Sequence, residues 1–384
     1  MLQKFLDEKP LYYEKIDYSR MPRVYEKIKS KFNTPKIIHL IGTNGKGTTG
    51  RFLATALHSL GFSTGHYTSP HILNFNERVW LNGEDVSDKV LNSAHTQLLR
   101  VLTSEDADSL SYFEYTTLLA MWIYQDLDYV VLEAGLGGEF DATAVFDKEL
   151  TLITPIDIDH QAFLGDTVKE IALTKLNAVQ KSAILAHQKH KEVYDAAEDI
   201  SVKRAVRITK VSKYINVDDK EKIEDITHKL LLAPYLRDNL ELAVSALNFL
   251  DIKYEVDSFI NSRLFGRLSY IDKNIIVDVG HNILAASSIL NALNGDKYIL
   301  IYNSYRDKDY KEILNILKPI ISSIEIIKID DERAEKQELL QEVIQDLGIV
   351  QNLFNKIDKN KKYLVFGSFS VVESFLKKQR AGNE

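Results

Sequence analysis

The chain has 384 residues, 45% of them hydrophobic and 27% charged, with a formal net charge of −7 and no cysteine. This length exceeds one ordinary hydrophobic core and by itself suggests two domains or three. The mild negative charge gives no reason to expect a nucleic-acid or membrane-surface partner, and without thiols any metal must be held by oxygen or imidazole. The opening stretch MLQKFLDEKPLYYEKIDYSR has no apolar leader segment. No stretch approaches the ~20 apolar residues of a membrane span, so a cytoplasmic protein is expected. KIIHLI (36–41), YVVLEAG (129–135), LTLITPI (150–156) and SAILAHQ (182–188) are short, β-branched-rich runs bounded by turn residues, and they predict buried strands. Helices are predicted at 46–60, 112–125 and 167–180, and the Asn-Gly pair in ERVWLNGEDVS (77–87) predicts a hairpin. Strands alternating with helices imply a mostly parallel sheet covered on both faces. After a helix at 237–250, a second series follows: NIIVDVG (274–280), KYILIYN (297–303), SIEIIKI (323–329) and KYLVFG (362–367). The expected fold is α/β. A mostly parallel sheet domain with a P-loop-like turn spans 1–253, and a smaller Rossmann-like α/β domain spans 254–384.

The turn is HLIGTNGKGTTG (39–50). It departs twice from the strict G-x-x-x-x-G-K-[ST] spacing: Leu40 replaces the first glycine, and Gly47 follows the lysine. The physical ingredients of a phosphate cradle are present all the same. A buried strand ends at Ile41, Gly42, Gly45 and Gly47 permit positive φ and uncover backbone N–H groups, and a helix N-terminus follows. Lys46 supplies a cation and Thr48 a hydroxyl for a metal. The alternative is a strand-to-helix turn whose glycines only relieve crowding.

The run Gly-Thr-Asn-Gly-Lys-Gly-Thr after an apolar strand resembles the ATP loop of the folylpolyglutamate synthase/dihydrofolate synthase family, within the Mur ligase superfamily. The likeness continues in order through HYTSPHILNFNERVWLNG (66–83), YFEYTTLLA (112–120), LEAGLGGEFDAT (132–143) and TPIDIDHQAFLGDTVKEIALTK (154–175). It extends through FGRLSYID (265–272), IIVDVGHNILA (275–285), RDKDY (306–310), ERA (332–334) and FGSFS (366–370), over roughly residues 10–375.

The resemblance implies an ATP-binding domain of the Mur ligase central type over 1–253 and a glutamate-ligase domain over 254–384. It assigns nucleotide contacts to Thr43, Asn44, Gly45, Lys46, Gly47, Thr48, Asn239, Arg267 and Asp278. It assigns metal contacts for two Mg²⁺ to Thr48, Ser69, Glu133 and His160, and catalytic roles to Lys46, Lys175, Asp278 and His281. Lys175 is the lysine that CO₂ would convert to a carbamate. By themselves these residues also read as a turn hydroxyl at Ser69, a packing histidine at His160 and a solvated lysine at Lys175. Glu133 differs, because a carboxylate ending the apolar strand YVVLEAG needs a cation or donors close by. The chain departs from the family pattern at Glu139 and Ala144, around Lys175 (Thr174, Leu176, Asn177), at Tyr235 and Leu236, at Phe265, and at Val279, Gly280 and Ile283.

The implied reaction is ATP-dependent amide ligation. A carboxylate of dihydropteroate or a folate takes the γ-phosphate of ATP as an acyl phosphate, and the amine of L-glutamate displaces phosphate. ATP and Mg²⁺ are the expected cofactors, the expected state is a monomer, and the expected site is a cleft between the domains. A Mur-type ligase acting on a cell-wall precursor and a non-catalytic nucleotide-binding relative are the alternatives. The Lys-Gly-Thr order and the Thr-Ser-Pro-His segment argue against the Mur-type reading.

Overall fold

A computed structural model describes residues 1–9, 17–293 and 295–381. The first residues of the stretch that resembles the family, 10–16, lie outside the described residues. The chain divides into two compact units, Met1–Leu231 with Leu236–Ser262, and Leu232–Tyr235 with Arg263–Glu384.

The first unit is built on eight strands: β1 (Lys36–Ile41), β2 (Thr64–Tyr67), β3 (Val79–Leu81), β4 (Glu84–Asp85), β5 (Tyr129–Glu133), β6 (Leu150–Ile153), β7 (Ser182–Leu185) and β8 (Arg207–Lys210). Their order in the sheet is β4-β3-β2-β5-β1-β6-β7-β8. Pairing is parallel from β2 across to β8, and the β2–β3 and β3–β4 pairings are antiparallel. β1 lies inside the sheet with neighbours on both edges. Its side chains Ile37, Ile38, Leu40 and Ile41 are all buried, which is why it reads as a continuous apolar run rather than an alternating one. Burying each such side chain contributes about 1.5–3 kcal/mol. β6 stops at Ile153, short of the apolar run's end, because Pro155 has no N–H to continue a ladder. The predicted hairpin is present: Asn82 (φ 47°) and Gly83 (φ 105°) make the left-handed turn between β3 and β4.

The second unit carries β9 (Ser269–Asp272), β10 (Ile275–Val277), β11 (Tyr298–Tyr302), β12 (Ile321–Ile326), β13 (Gln351–Leu353) and β14 (Tyr363–Phe366). The order is β13-β12-β11-β14-β10-β9, parallel except for β9. Helices Ile283–Leu293, Tyr310–Leu317, Gln337–Asp346 and Phe369–Ala381 follow β10, β11, β12 and β14 respectively. This is the expected Rossmann-like alternation. No helix among the described residues is long and apolar enough to cross a membrane.

Candidate active site

Strand register puts the site together. Leu40 on β1 stands opposite both Glu133 on β5 and Leu152 on β6. The three strands therefore end side by side, and the loops after them share the carboxyl edge of the sheet, where open parallel sheets place ligands. Ala134 N–H donates to Leu40 O and Thr154 N–H to Ile41 O, both at 2.9 Å.

The glycine-rich loop is anchored at both ends. Thr43 N–H (2.9 Å) and Asn44 N–H (3.3 Å) both donate to Pro155 O. The Thr43 hydroxyl lies 3.1 Å from both Asp157 O and Asp157 N. Those two amides are engaged within the protein. The donors left for an anion are the first-turn amides of the helix Lys46–Ser59, which have no intrahelical acceptor. Gly45 caps that helix at φ 90°, and a Cβ there would lie 2.3 Å from Asn239 Oδ1. Only glycine fits both demands. Asn239 thus backs the loop from the helix Pro234–Phe249.

Three charged side chains converge here. Lys46 Nζ donates to Gly42 O and Thr43 O, each at 3.3 Å, and lies 3.9 Å from Glu133 Oε1. Glu133 is 5% exposed, and its Oε2 accepts from the Thr68 hydroxyl and from Ser69 N–H (3.3 Å). Ser69 therefore reaches Glu133 through its backbone. Lys175, 4% exposed, donates from Nζ to Gly42 O at 2.9 Å. Burial, reinforced by the neighbouring Lys46, lowers its pKa to about 7 against the pull of Asp159 and Asp141. His160 starts the helix Gln161–Leu164 at φ 52°, with Nε2 4.0 Å from Asp159 Oδ1.

A divalent metal fits these residues. The Thr48 hydroxyl is buried in the first turn and has no hydrogen-bond partner among the described residues. With the Glu133 carboxylate it forms a hard-oxygen donor set. No group of three His, Asp or Glu side chains among the described residues makes a complete protein cage. A sparse oxygen set suits an ion that keeps water and phosphate ligands, as Mg²⁺ does.

In the second unit Asp278 follows β10 and is 4% exposed. Its Oδ2 accepts from Leu268 N–H (2.8 Å) and from the Tyr235 hydroxyl (2.9 Å), and its Oδ1 accepts from Gly280 N–H (2.8 Å). Burial raises its pKa against the opposing effects of Arg267 and these hydrogen bonds. Arg267 donates to Gly266 O at 3.1 Å and lies over the Phe369 ring at 5.3 Å. His281 Nδ1 is 3.2 Å from Val279 O, a contact that needs the proton on Nδ1.

Other motif residues have partners within their own unit. Glu114 closes a capping box with Ser111 and pairs with Arg20 at 2.7 Å. His71 accepts from Arg78 at 2.8 Å, and the Arg78 guanidinium lies over Tyr112. Sequence reasoning missed Thr68, Thr154, Asp157 and Tyr235. Thr68, Thr154 and Asp157 sit inside quoted motifs and Tyr235 at a noted departure, but nothing in a linear pattern shows which side chain a neighbouring hydroxyl or carboxylate will meet.

No family model matches the chain. A dihydrofolate synthase/folylpolyglutamate synthase of Haemophilus influenzae is 32% identical over 409 residues, covering 93% of this chain and 92% of the relative. The crystal structure of Helicobacter pylori folylpolyglutamate synthetase is 38% identical with a TM-score of 0.81, covering 99% of this chain and 98% of that one. A bifunctional folylpolyglutamate synthase/dihydrofolate synthase of Yersinia pestis, complexed with AMPPNP and Mn ion, shares the fold at a TM-score of 0.82 and 22% identity, covering 99% of this chain and 97% of that one. Identity of this extent covers nearly the whole chain, and the chain belongs to the dihydrofolate synthase/folylpolyglutamate synthase family of ATP-dependent glutamate ligases.

Proposed function

We propose that the first unit binds ATP with its phosphates over the first turn of the helix Lys46–Ser59, and that the chain joins L-glutamate to dihydropteroate, to folates, or to both. The observation that carries this reading is the convergence of Lys46, Glu133 and Lys175 on the loop that ends β1. Uncompensated first-turn amides and the helix dipole favour an anion there. Lys46 would leave the Gly42 and Thr43 carbonyls for the transferred phosphate and offset charge that builds on it. Phosphoryl transfer asks mainly for positioning and charge neutralisation, and this site offers both. Thr48 and Glu133, with Ser69 and His160 as further candidates, would hold Mg²⁺ at two sites. When bound, the metal would neutralise charge between ATP and the acceptor carboxylate. Thr43, Asn44, Gly45, Gly47 and Asn239 shape the loop. Arg267, a planar fork suited to phosphate oxygens, is assigned to the nucleotide. Asp278, which the resemblance also gives to the nucleotide, and His281 are assigned to glutamate.

The test is phosphate release from ATP with L-glutamate plus dihydropteroate, then plus tetrahydrofolate, then with each component omitted. Release that depends on both glutamate and one acceptor is expected. Release without either would overturn the reading. Lys46→Ala should lower turnover at least ~10²-fold with an unchanged circular dichroism spectrum, and retained activity would reject the phosphate role.

Lys175 would carry a carbamate. With a pKa of about 7 a large share of the amine is neutral at neutral pH, whereas an ordinary lysine is almost wholly protonated. The nitrogen lone pair attacks CO₂, a C–N bond forms, one proton goes to solvent, and a carboxylate-like group replaces the cation. ¹³C-bicarbonate should give a carbamate NMR signal that grows as pH rises through about 7 and is lost in Lys175→Arg. Lys148, also lowered to about 7 by burial, is the internal control. A signal that survives Lys175→Arg and vanishes in Lys148→Arg would reassign the site. A monomeric, cytoplasmic enzyme acting on small molecules completes the reading, and light scattering at working concentration tests the monomer.

A further inference from the structure

Sheet register, rather than loop conformation, brings Thr68 to Glu133. β2 ends at Tyr67, which pairs with Leu132 of β5 in parallel and with Val79 of β3 in antiparallel register. One residue further on, Thr68 therefore stands beside Glu133, whose other neighbour is Leu40 of β1. Thr68 N–H donates to Arg78 O at 3.0 Å and carries the β2–β3 ladder one step past the strand's end. Backbone and side chain are both fixed, because the residue is buried and a β-branched side chain is stiff at its first torsion. Its hydroxyl donates to Glu133 Oε2, and Ser69 N–H reaches the same oxygen at 3.3 Å. That amide lies just beyond the usual N–H···O range of about 2.7–3.2 Å, so the hydroxyl is the stronger of these two donors. Glu133 Oε1 is turned the other way, toward Lys46 at 3.9 Å. The last torsion of a glutamate is broad and roughly two-fold, and a donor that holds one oxygen decides where the other points.

We propose that Thr68 is a positioning residue for the divalent metal, its hydroxyl holding Glu133 Oε2 so that Oε1 stays turned toward the Lys46 side of the glycine-rich loop as a metal ligand. This rests on the reading of Glu133 as a metal ligand. A carboxylate that ligates a cation is itself held by hydrogen bonds, and losing such a partner weakens the metal. Glu133 is buried, so bulk water is poorly placed to replace the lost donor. Without the hydroxyl, Oε2 keeps the long Ser69 bond, and the carboxylate is freer to turn onto the Lys46 ammonium, which then competes with the metal for Oε1.

The experiment uses the full chain with Thr68→Val, Thr68→Ser, Glu133→Gln and the Thr68→Val/Glu133→Gln double variant. Mn²⁺ is the probe, its free ion read by electron paramagnetic resonance at equal concentrations of enzyme and AMPPNP. Metal-free affinity for AMPPNP is read by isothermal titration in EDTA. Thr68→Val, close in shape, should weaken Mn²⁺ binding about 10-fold and leave the metal-free affinity for AMPPNP unchanged. Thr68→Ser keeps the hydroxyl and should restore most of the Mn²⁺ affinity. In the Glu133→Gln background Thr68→Val should add little, since residues acting as one unit are non-additive. Unchanged Mn²⁺ binding in Thr68→Val, an equal loss of metal-free AMPPNP affinity, or full additivity would overturn the proposal. Tighter Mn²⁺ binding would overturn it too, by showing that the hydroxyl competes with the metal for Glu133. Failure of the underlying reading looks different: Glu133→Gln by itself would then leave Mn²⁺ binding unchanged. If Thr68→Val does not fold, Thr68→Cys, similar in size with only a weak donor, decides instead. Weakened Mn²⁺ binding there supports the role, and unchanged binding rejects it.

Discussion

Thr48 carries a buried hydroxyl that no described residue satisfies, an arrangement that ordinarily costs about 1–3 kcal/mol. Replacing it with valine, of nearly the same shape, removes that cost together with any bond to a metal. Thr48→Val should therefore raise the Mg²⁺ concentration for half-maximal activity at least ~10-fold while leaving the melting temperature unchanged or higher. Lower stability with an unchanged Mg²⁺ requirement would make the hydroxyl structural. Elsewhere, two departures from the family pattern meet each other. Glu139 accepts from Asn177 Nδ2 at 2.8 Å, and its N–H donates to Thr174 O at 3.1 Å. Read along the chain they looked like separate erosions, one in the Gly-Gly loop and one beside Lys175. In the fold they tie the loop to the helix that carries Lys175. Tyr235 answers Asp278 in the same way. The motif residues themselves were legible because their types report chemistry. Their partners were not, because pairing 139 with 177, or 235 with 278, requires knowing the fold.

At the scale of elements, the loop between β1 and the helix Lys46–Ser59 is set by geometry at Gly45. Gly45→Ala meets two separate obstacles, a φ of 90° that disfavours any side chain and Asn239 Oδ1 at 2.3 Å from the new Cβ. The backbone strain is of order 1–3 kcal/mol. Gly45→Ala should lower both the melting temperature and nucleotide affinity in isothermal titration, and Asn239→Ala in the same chain should restore only the steric part of the melting-temperature loss. Full restoration would show that φ costs nothing there. Most of this framework could be read from sequence. β1, β5, β6 and β7 announced themselves as apolar runs because parallel strands buried on both faces have no polar side to show. β2 and β8 did not. β2 is Thr-Gly-His-Tyr, wholly buried yet not apolar in composition, with Gly65 making room for the Tyr124 ring. β8 is Arg-Ile-Thr-Lys at the sheet's edge, where one side meets water and charged residues are tolerated. Helix ends were placed within a few residues, except at Leu176, where the apolar pattern continues past the helix into Ala178 and Val179.

For the molecule as a whole, two buried lysines shape the dependence of stability on pH. Lys175 and Lys148 are both lowered to about 7 from 10.5, chiefly by burial. Between those values the unfolded chain binds more protons than the folded one, so stability rises with pH across that window. Below about 7 both states are protonated and the full cost of the buried charges is present. In CO₂-free buffer the melting temperature should climb between about pH 7 and pH 9, and Lys175→Met should flatten that climb. An equal slope in the variant would mean that Lys175 titrates as an ordinary lysine. The sheet order has a further consequence for how the chain is made. The glycine-rich loop leaves the ribosome before β5, β6 and the helix Pro234–Phe249, yet β1 needs β5 and β6 as neighbours, and Gly45 is backed by Asn239. Loops closed over such sequence distances form slowly. A nascent chain would thus display the whole Gly42–Thr48 segment long before any nucleotide could be held by it, and competence to bind would arrive only once the helix Pro234–Phe249 has emerged.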